Sequence, residues 1–303
     1  SLLHKCEELS GHFGGRFILR ALRKIEARGS IETAKRVRGY IYAIFKRAKG
    51  ERLVNAAHLL EIDEIKDALK PTLPGAKQPA LTTLPELLDL QLCVDRSTSN
   101  LITKLASRLL ALSVVRVGVL RTALWSEFHG IDWSEPDAPC ETPTWLIPAA
   151  RMKLEVEDKH NSAFGHDVLL SRQAVDALRI LRVVTGTSPL LFPSAKSWSE
   201  PMTDAALSTM YKRMAAGEYK NRMVPHGWRS AFSTIMNERA AELERDGDRM
   251  LIDMILAHVP PGMSASEWAY NRARYRRPRS GIYQVCVNRP FNCGYLSSLH
   301  IDP

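Results

Sequence analysis

Four short strings in this sequence carry side chains with usable chemistry. Arg116 lies in Leu-Leu-Ala-Leu-Ser-Val-Val-Arg-Val-Gly-Val-Leu-Arg, residues 109–121, and no Asp or Glu occurs between Asp95 and Glu127. A guanidinium cannot shed its proton, so in an apolar run it needs a partner or a route to water. It is either a snorkelling or distantly paired arginine, or one wall of an anion pocket filled from outside. In Val-Pro-His-Gly-Trp-Arg, residues 224–229, Pro225 suits a helix start. His226 and Arg229 are three apart and share one face of its first turn. A helix N-terminus with a cation on that face can hold a phosphate or oxyanion. By itself the spacing serves a structural role just as readily. His258 closes Met-Ile-Leu-Ala-His, residues 254–258, before Pro260, Pro261 and Gly262 stop the helix. Tyr270 follows after a loop. A single histidine or tyrosine in such a place is more often a packing residue than a reactive one.

The elements that must position these groups follow from periodicity. Residues 1–50 hold 12 Lys/Arg against 4 Glu, a surplus of 8 in a chain whose net charge is +9. Phe17, Ile18, Ala21, Leu22 and Ile25 recur at helical spacing, and Arg28-Gly-Ser30 stops that helix, with Ser30 able to cap the next. Val37, Ile41, Ile44, Phe45 and Ala48 predict a second apolar stripe beside Arg38 and Lys46, and an acidic third helix is predicted near 60–69. Residues 71–83, with three prolines and a glycine, read as a linker. Beyond it, helical patterns run through 84–96, 98–113, 171–184, 203–214, 227–245 and 248–257. Strand-like pieces at Trp145-Leu-Ile and Asp167-Val-Leu-Leu predict a hairpin. The fold class is therefore mainly α with a small β-sheet.

The 303 residues, 45% apolar and 25% charged, exclude a disordered chain and a staple-dependent mini-protein. The five cysteines, 6, 93, 140, 286 and 293, form no CxxC pair and indicate neither a zinc site nor a disulfide framework. No apolar run reaches the roughly 20 residues of a membrane span. The basic balance favours a polyanionic partner. A reduced, intracellular protein with no metal and no cofactor is expected.

Taken in order, Arg116, His226-x-x-Arg229, His258 and Tyr270 resemble the tyrosine recombinases, and more closely the phage- and island-type integrases. Arg-Val-Gly-Val-Leu-Arg-Thr-Ala-Leu-Trp-Ser-Glu-Phe is similar to their R-P-G-E-L-R-x-A-x-W-x-E-F stretch, and Trp-Leu-Ile-Pro-Ala-Ala-Arg-Met-Lys to W-x-I-P-A-x-x-M-K. Val-Leu-Leu-Ser-Arg-Gln-Ala, Leu-Phe-Pro-Ser, Leu-Ala-His and Ala-Tyr-Asn-Arg-Ala complete a likeness spanning about 15–277. It implies a helical core-DNA-binding domain (1–70), a linker (71–81), a catalytic domain (82–280) and an atypical tail (281–303), the first two domains clamping duplex DNA. It implies a site-specific recombinase with Tyr270 as nucleophile, Tyr275 being the competing candidate. Arg116, Arg229, His226 and His258 would serve the phosphate, and a hairpin lysine the leaving oxygen. Lys153 is the choice there and Lys159 the runner-up. Arg38 and Lys46 are candidate DNA contacts.

Implied partners are double-stranded DNA attachment cores, three further copies of the chain in a tetramer, and an excisionase or host DNA-bending protein. No membrane is involved, and the expected location is the bacterial cytoplasm, at the nucleoid. Two departures stand out. Val119 replaces the acid that follows the glycine in the family's first motif, and residues 281–303 are expected to lack the family's final amphipathic helix. They motivate the alternative of a catalytically weakened DNA-binding relic. A type IB topoisomerase-like enzyme would share the phosphotyrosine chemistry.

Overall fold

The computed structural model describes residues 15–72, 77–135, 140, 142–258 and 275–288, the last five of these by backbone alone. The chain divides into two compact units, 1–77 and 78–303. The division falls inside the expected linker, and Leu81, at the linker's end, is already buried in the second unit's core.

Among the described residues the first unit holds three helices: α1 (Gly15–Glu26), α2 (Ile31–Gly50) and α3 (Ala56–Ala68). Ile18, Leu22, Ala34, Ile62, Ile65 and Leu69 form its core, with Val37, Ile41 and Phe45 packed against it. Asn55 caps α3 by accepting the His58 N–H at 3.2 Å, whereas Ser30 precedes α2 without a side-chain cap bond. Two members of the expected stripes face water instead: Phe17 and Ile44 are 57% and 65% exposed. Each sits one residue, about 100° of helix, off the line that three packed helices can cover. Glu26 is buried and satisfied, accepting the Lys70 N–H at 2.7 Å.

The second unit begins with α4 (Leu84–Arg96), α5 (Leu101–Ser113) and the short α6 (Val117–Arg121). Three antiparallel strands follow in the order β1 (Phe128–His129), β2 (Thr144–Ile147) and β3 (His166–Leu169). The register pairs Phe128 with Trp145 and Ile147 with His166. The hairpin is the expected one; the two-residue β1 is too short to show in the sequence. Then come α7 (Arg172–Thr185), a small ribbon of β4 (Pro193–Ser194) and β5 (Ser197–Pro201), and α8 (Ala206–Arg213). The described part closes with α9 (Gly227–Glu242), α10 (Asp248–Ile255) and α11 (Arg276–Asn288).

The core of this unit runs from α5 through Trp145 to α7 and α9. Within it the Ser107 and Tyr211 hydroxyls share a hydrogen bond of 2.7 Å, and Trp228 Nε1 donates to Tyr211 at 2.8 Å. Burial pushes the Tyr211 phenol up to about 12. No helix among the described residues is long and apolar enough to cross a membrane.

α11 carries helix into the expected tail as far as Asn288. It crosses the expected 280/281 boundary, and Ile282 and Tyr283 are 4% and 2% exposed. Pro278 is tolerated because it lies in the first turn, where its missing N–H has no partner to lose. Residues 289–303, with Cys293, lie outside the described residues.

Candidate active site

Two sharp chain reversals deliver the candidate residues. α5 ends at Val114 with φ 47°, a left-handed conformation that costs a β-branched residue dearly, and its N–H closes onto the Leu110 carbonyl. Arg116 follows as the N-cap of α6, and its carbonyl accepts the N–H groups of Val119 and Leu120. At the other end of the unit, α10 ends through Ala257 at φ 50°. The next N–H, that of His258, returns to the Asp253 carbonyl at 2.9 Å. Strained residues at such turns persist where surrounding contacts over-determine them.

Arg229, in the first turn of α9, supplies those contacts. It is 5% exposed, and Nη1 donates to the Val114 carbonyl at 2.7 Å. Nη2 donates to the Leu256 carbonyl and lies 3.1 Å from His258 Nε2. One guanidinium thus joins the turn before Arg116 to the turn before His258. Burial, and then Arg116, bring Arg229 down to about 10, so it remains cationic at neutral pH. Arg116 is half-buried, and burial lowers its pKa as well. Its guanidinium makes no hydrogen bond or ion pair among the described residues.

Arg116 and Arg229 line a common small cavity with His166, walled by Val115, Val119, Ile147, Met152 and Ala257. Two cations among apolar walls suit a negatively charged group. His226, at the N-cap of α9, is exposed; burial, then Arg229 and Arg116, lower its pKa and favour the neutral imidazole. His258 is lowered by burial, then by Arg229 and Arg116, against the opposing pull of Asp253, whose Oδ1 is 3.6 Å from Nδ1. Among the described residues no group of three or more His, Cys, Asp or Glu could hold a metal ion.

The remaining candidates are placed differently. Lys153 is exposed, directly after Met152 of the cavity wall and a 3₁₀ turn at Ala149–Arg151. Lys159 is half-buried in another such turn, Asp158–His160. Tyr270 lies outside the described residues. Tyr275 is half-buried against the core at φ 42°, and its carbonyl accepts the Arg279 N–H of α11. Arg38 is turned inward: it donates to the Ile62 carbonyl at 3.0 Å and to Asp63 Oδ1 at 2.6 Å, and stacks over Tyr42. A phosphate contact by Arg38 would compete with these bonds. Lys46 is exposed on α2.

Two residues escaped sequence reasoning. His166 faces the cavity with its pKa lowered to about 3, by burial first and then by Arg279, while Asp167 pulls the other way. Arg151 bonds Glu127, which is 5% exposed and also accepts Trp145 Nε1 at 2.9 Å. Neither stood out, because their partners are distant in sequence.

A helical first unit and a three-stranded antiparallel sheet among helices match the tyrosine recombinase fold. Residues 15–61 match the phage integrase central domain. The chain is 31% identical to prophage integrase IntZ of Escherichia coli K12 over 269 residues, covering 89% of this chain and 58% of that one. It is 26% identical to prophage integrase IntA of the same organism, covering 88% and 56%. The chain therefore spans somewhat over half the length of these relatives. Its fold matches a lambda integrase dimer bound to a COC′ core site with a TM-score of 0.52 at 16% identity, covering 86% of this chain and 66% of that one. The Tn1549 transposon integrase in complex with circular intermediate DNA matches at 0.51 and 15% identity, covering 88% and 84%. Together these matches indicate a tyrosine recombinase.

Proposed function

We propose that this chain is the core-binding and catalytic part of a site-specific DNA recombinase, an integrase that inserts or excises a mobile element. The observation that carries the reading is the Arg229 fork, which bonds the turn before Arg116 and the turn before His258 at once. Joining DNA again without a nucleotide cofactor requires the phosphodiester energy to be kept in a covalent ester. Tyr270 would attack the phosphorus through its phenolic oxygen. The bond to the 5′-oxygen breaks, leaving a 3′-phosphotyrosyl ester and a free 5′-hydroxyl. Negative charge grows on the non-bridging oxygens, where Arg116 and Arg229 are permanently charged donors and His258 adds another hydrogen bond. The neutral His226 would take the phenol's proton, and Lys153 would protonate the departing oxygen.

The partner proposed is duplex DNA bearing inverted core half-sites, bound by a tetramer of the chain, with an excisionase or host DNA-bending protein as accessory. Residues 1–70 would be the core-binding domain and 82–280, continued through α11, the catalytic one. The site of action would be the bacterial nucleoid.

The test is a nicked suicide duplex carrying the element's attachment core. The chain is expected to form a denaturation-resistant adduct on it, abolished by Tyr270→Phe. A gel shift without an adduct would instead favour the DNA-binding relic suggested by Val119. Relaxation of plasmid lacking the core would favour the topoisomerase-like reading.

A further inference from the structure

The short helix α6 is five residues long, too short to hold itself together. Its position nevertheless decides where Arg116 lies, because the Arg116 carbonyl accepts the first two N–H bonds of the turn. Like any helix, α6 leaves its last carbonyls without intrahelical partners. Thr122 Oγ1 takes one of them, the Gly118 carbonyl, at 3.0 Å. Arg121 ties the end of α6 to the Met202 carbonyl at 3.0 Å and to the exposed Asp204 at 2.8 Å. A further anchor comes from the end of the 3₁₀ turn Ala149–Arg151. Arg151 Nη2 donates to the Val119 carbonyl and, at 2.8 Å, to Thr122 Oγ1.

Arg151 is itself held in place. Its Nη1 donates to both oxygens of Glu127. That carboxylate also accepts Trp145 Nε1 at 2.9 Å and the Leu124 N–H at 3.4 Å, which fills most of its acceptor sites. Trp145 is fully buried and stacked on Phe128, so the acid rests on the rigid centre of the sheet. On its other side Arg151 ends the 3₁₀ turn that leads through Met152, a wall of the cavity, to Lys153. A single planar guanidinium therefore ties the sheet, the α6 turn and the start of the lysine loop together.

We propose that Arg151 is a positioning residue that fixes Arg116 and the Lys153 loop relative to each other, with Glu127 as its anchor. The proposal rests on the recombinase reading for its chemical meaning. The geometry of the fork is what matters. An ammonium is a point charge that can neutralise Glu127 but cannot also reach the Val119 carbonyl and Thr122 from the same place.

Three variants separate positioning from simple neutralisation of a buried acid. They are read by calorimetric binding of tungstate, a tetrahedral oxyanion, and by single-turnover adduct formation on the nicked duplex. Arg116→Ala serves as the control that abolishes tungstate binding. Arg151→Met is expected to weaken tungstate binding at least tenfold and slow adduct formation at least fiftyfold, with DNA affinity within threefold of the unmodified chain. Arg151→Lys is expected to regain the melting temperature, because Glu127 is again paired, while staying at least tenfold slow. Thr122→Val, which leaves the acid pair intact, is expected to fold normally and lose three- to tenfold in both readouts.

If Arg151→Met does not fold, the other two variants decide. Wild-type rates and tungstate affinity in Arg151→Lys would overturn the proposal, as would equal losses of DNA affinity and rate across the series. If the unmodified chain binds tungstate but forms no adduct, the recombinase reading fails, and the tungstate arm still decides what Arg151 does.

Discussion

Arg229 does at the residue scale what two separate contacts would otherwise have to do. Removing it leaves the Val114 and Leu256 carbonyls unpaired and frees His258. Arg229→Ala is expected to lower stability by about 2–4 kcal/mol, the usual cost of orphaning buried polar groups, and to abolish the adduct. Arg229→Lys retains a charge without the fork, and should recover part of the stability but little cleavage; urea denaturation and adduct yield separate the two effects. His166 makes a pH-dependent contribution of definite sign. Its folded pKa, about 3, lies below the unfolded value near 6.5. Between these values the unfolded chain binds the extra proton. The stabilisation is therefore complete above about pH 6.5 and is lost progressively as pH falls toward about 3. Arg279, Arg229 and Asp167 are the charges that face it, and the two cations outweigh the acid. His166→Gln is expected to flatten the fall in melting temperature between pH 6.5 and pH 4, measured by thermal scans across that range; a fall as steep as the parent's would contradict the assignment.

Elements deliver these side chains through strained ends. Ala257 occupies a left-handed conformation at φ 50° where glycine would carry no Cβ penalty. Ala257→Gly is accordingly expected to stabilise the fold by about 1 kcal/mol. The same change loosens the turn that aims His258, so adduct formation should slow while stability rises, a split visible by comparing urea midpoints with cleavage rates. Element by element, the sequence showed what has strong periodicity or composition. The helices at Leu84–Arg96, Arg172–Thr185 and Gly227–Glu242 lie within two or three residues of their patterns, and the hairpin strands carry the β-branched and aromatic residues that predict them. α11 did not show, because Arg-Arg-Pro-Arg-Ser-Gly opens it with a proline and a glycine and offers little apolar period before Ile282. Phe17 and Ile44 were placed on inner faces because period alone does not tell how wide a stripe three helices cover. The candidate arginines and histidines were legible from the family strings. His166 and Arg151 were not, since a lone histidine before a strand and a basic residue in a basic loop carry no local signal.

At the scale of the whole molecule the charge is segregated. Most of the net +9 arises within residues 1–50, on helices whose basic side chains, Arg16, Arg20, Arg23, Lys24 and Lys46 among them, are exposed. Affinity for DNA should therefore come largely from phosphate neutralisation and fall linearly on a log–log plot against salt, by about 0.9 for each phosphate neutralised. Fluorescence anisotropy on a core duplex between about 50 and 200 mM salt checks this. Lys46→Ala should reduce the slope by about one unit if Lys46 meets a phosphate. Arg38→Ala should change stability more than slope, because Arg38 is spent on Asp63 and the Ile62 carbonyl.

On the proposed function a DNA strand becomes covalently held beside Arg116, Arg229 and His258. Mass spectrometry of the proteolysed adduct from the nicked duplex tests it most directly. One nucleotide-bearing peptide is expected, with the phosphate on Tyr270 and the DNA joined through its 3′ end. A modified Tyr275, a 5′ linkage, or no modified peptide from a chain that binds the same duplex would contradict it.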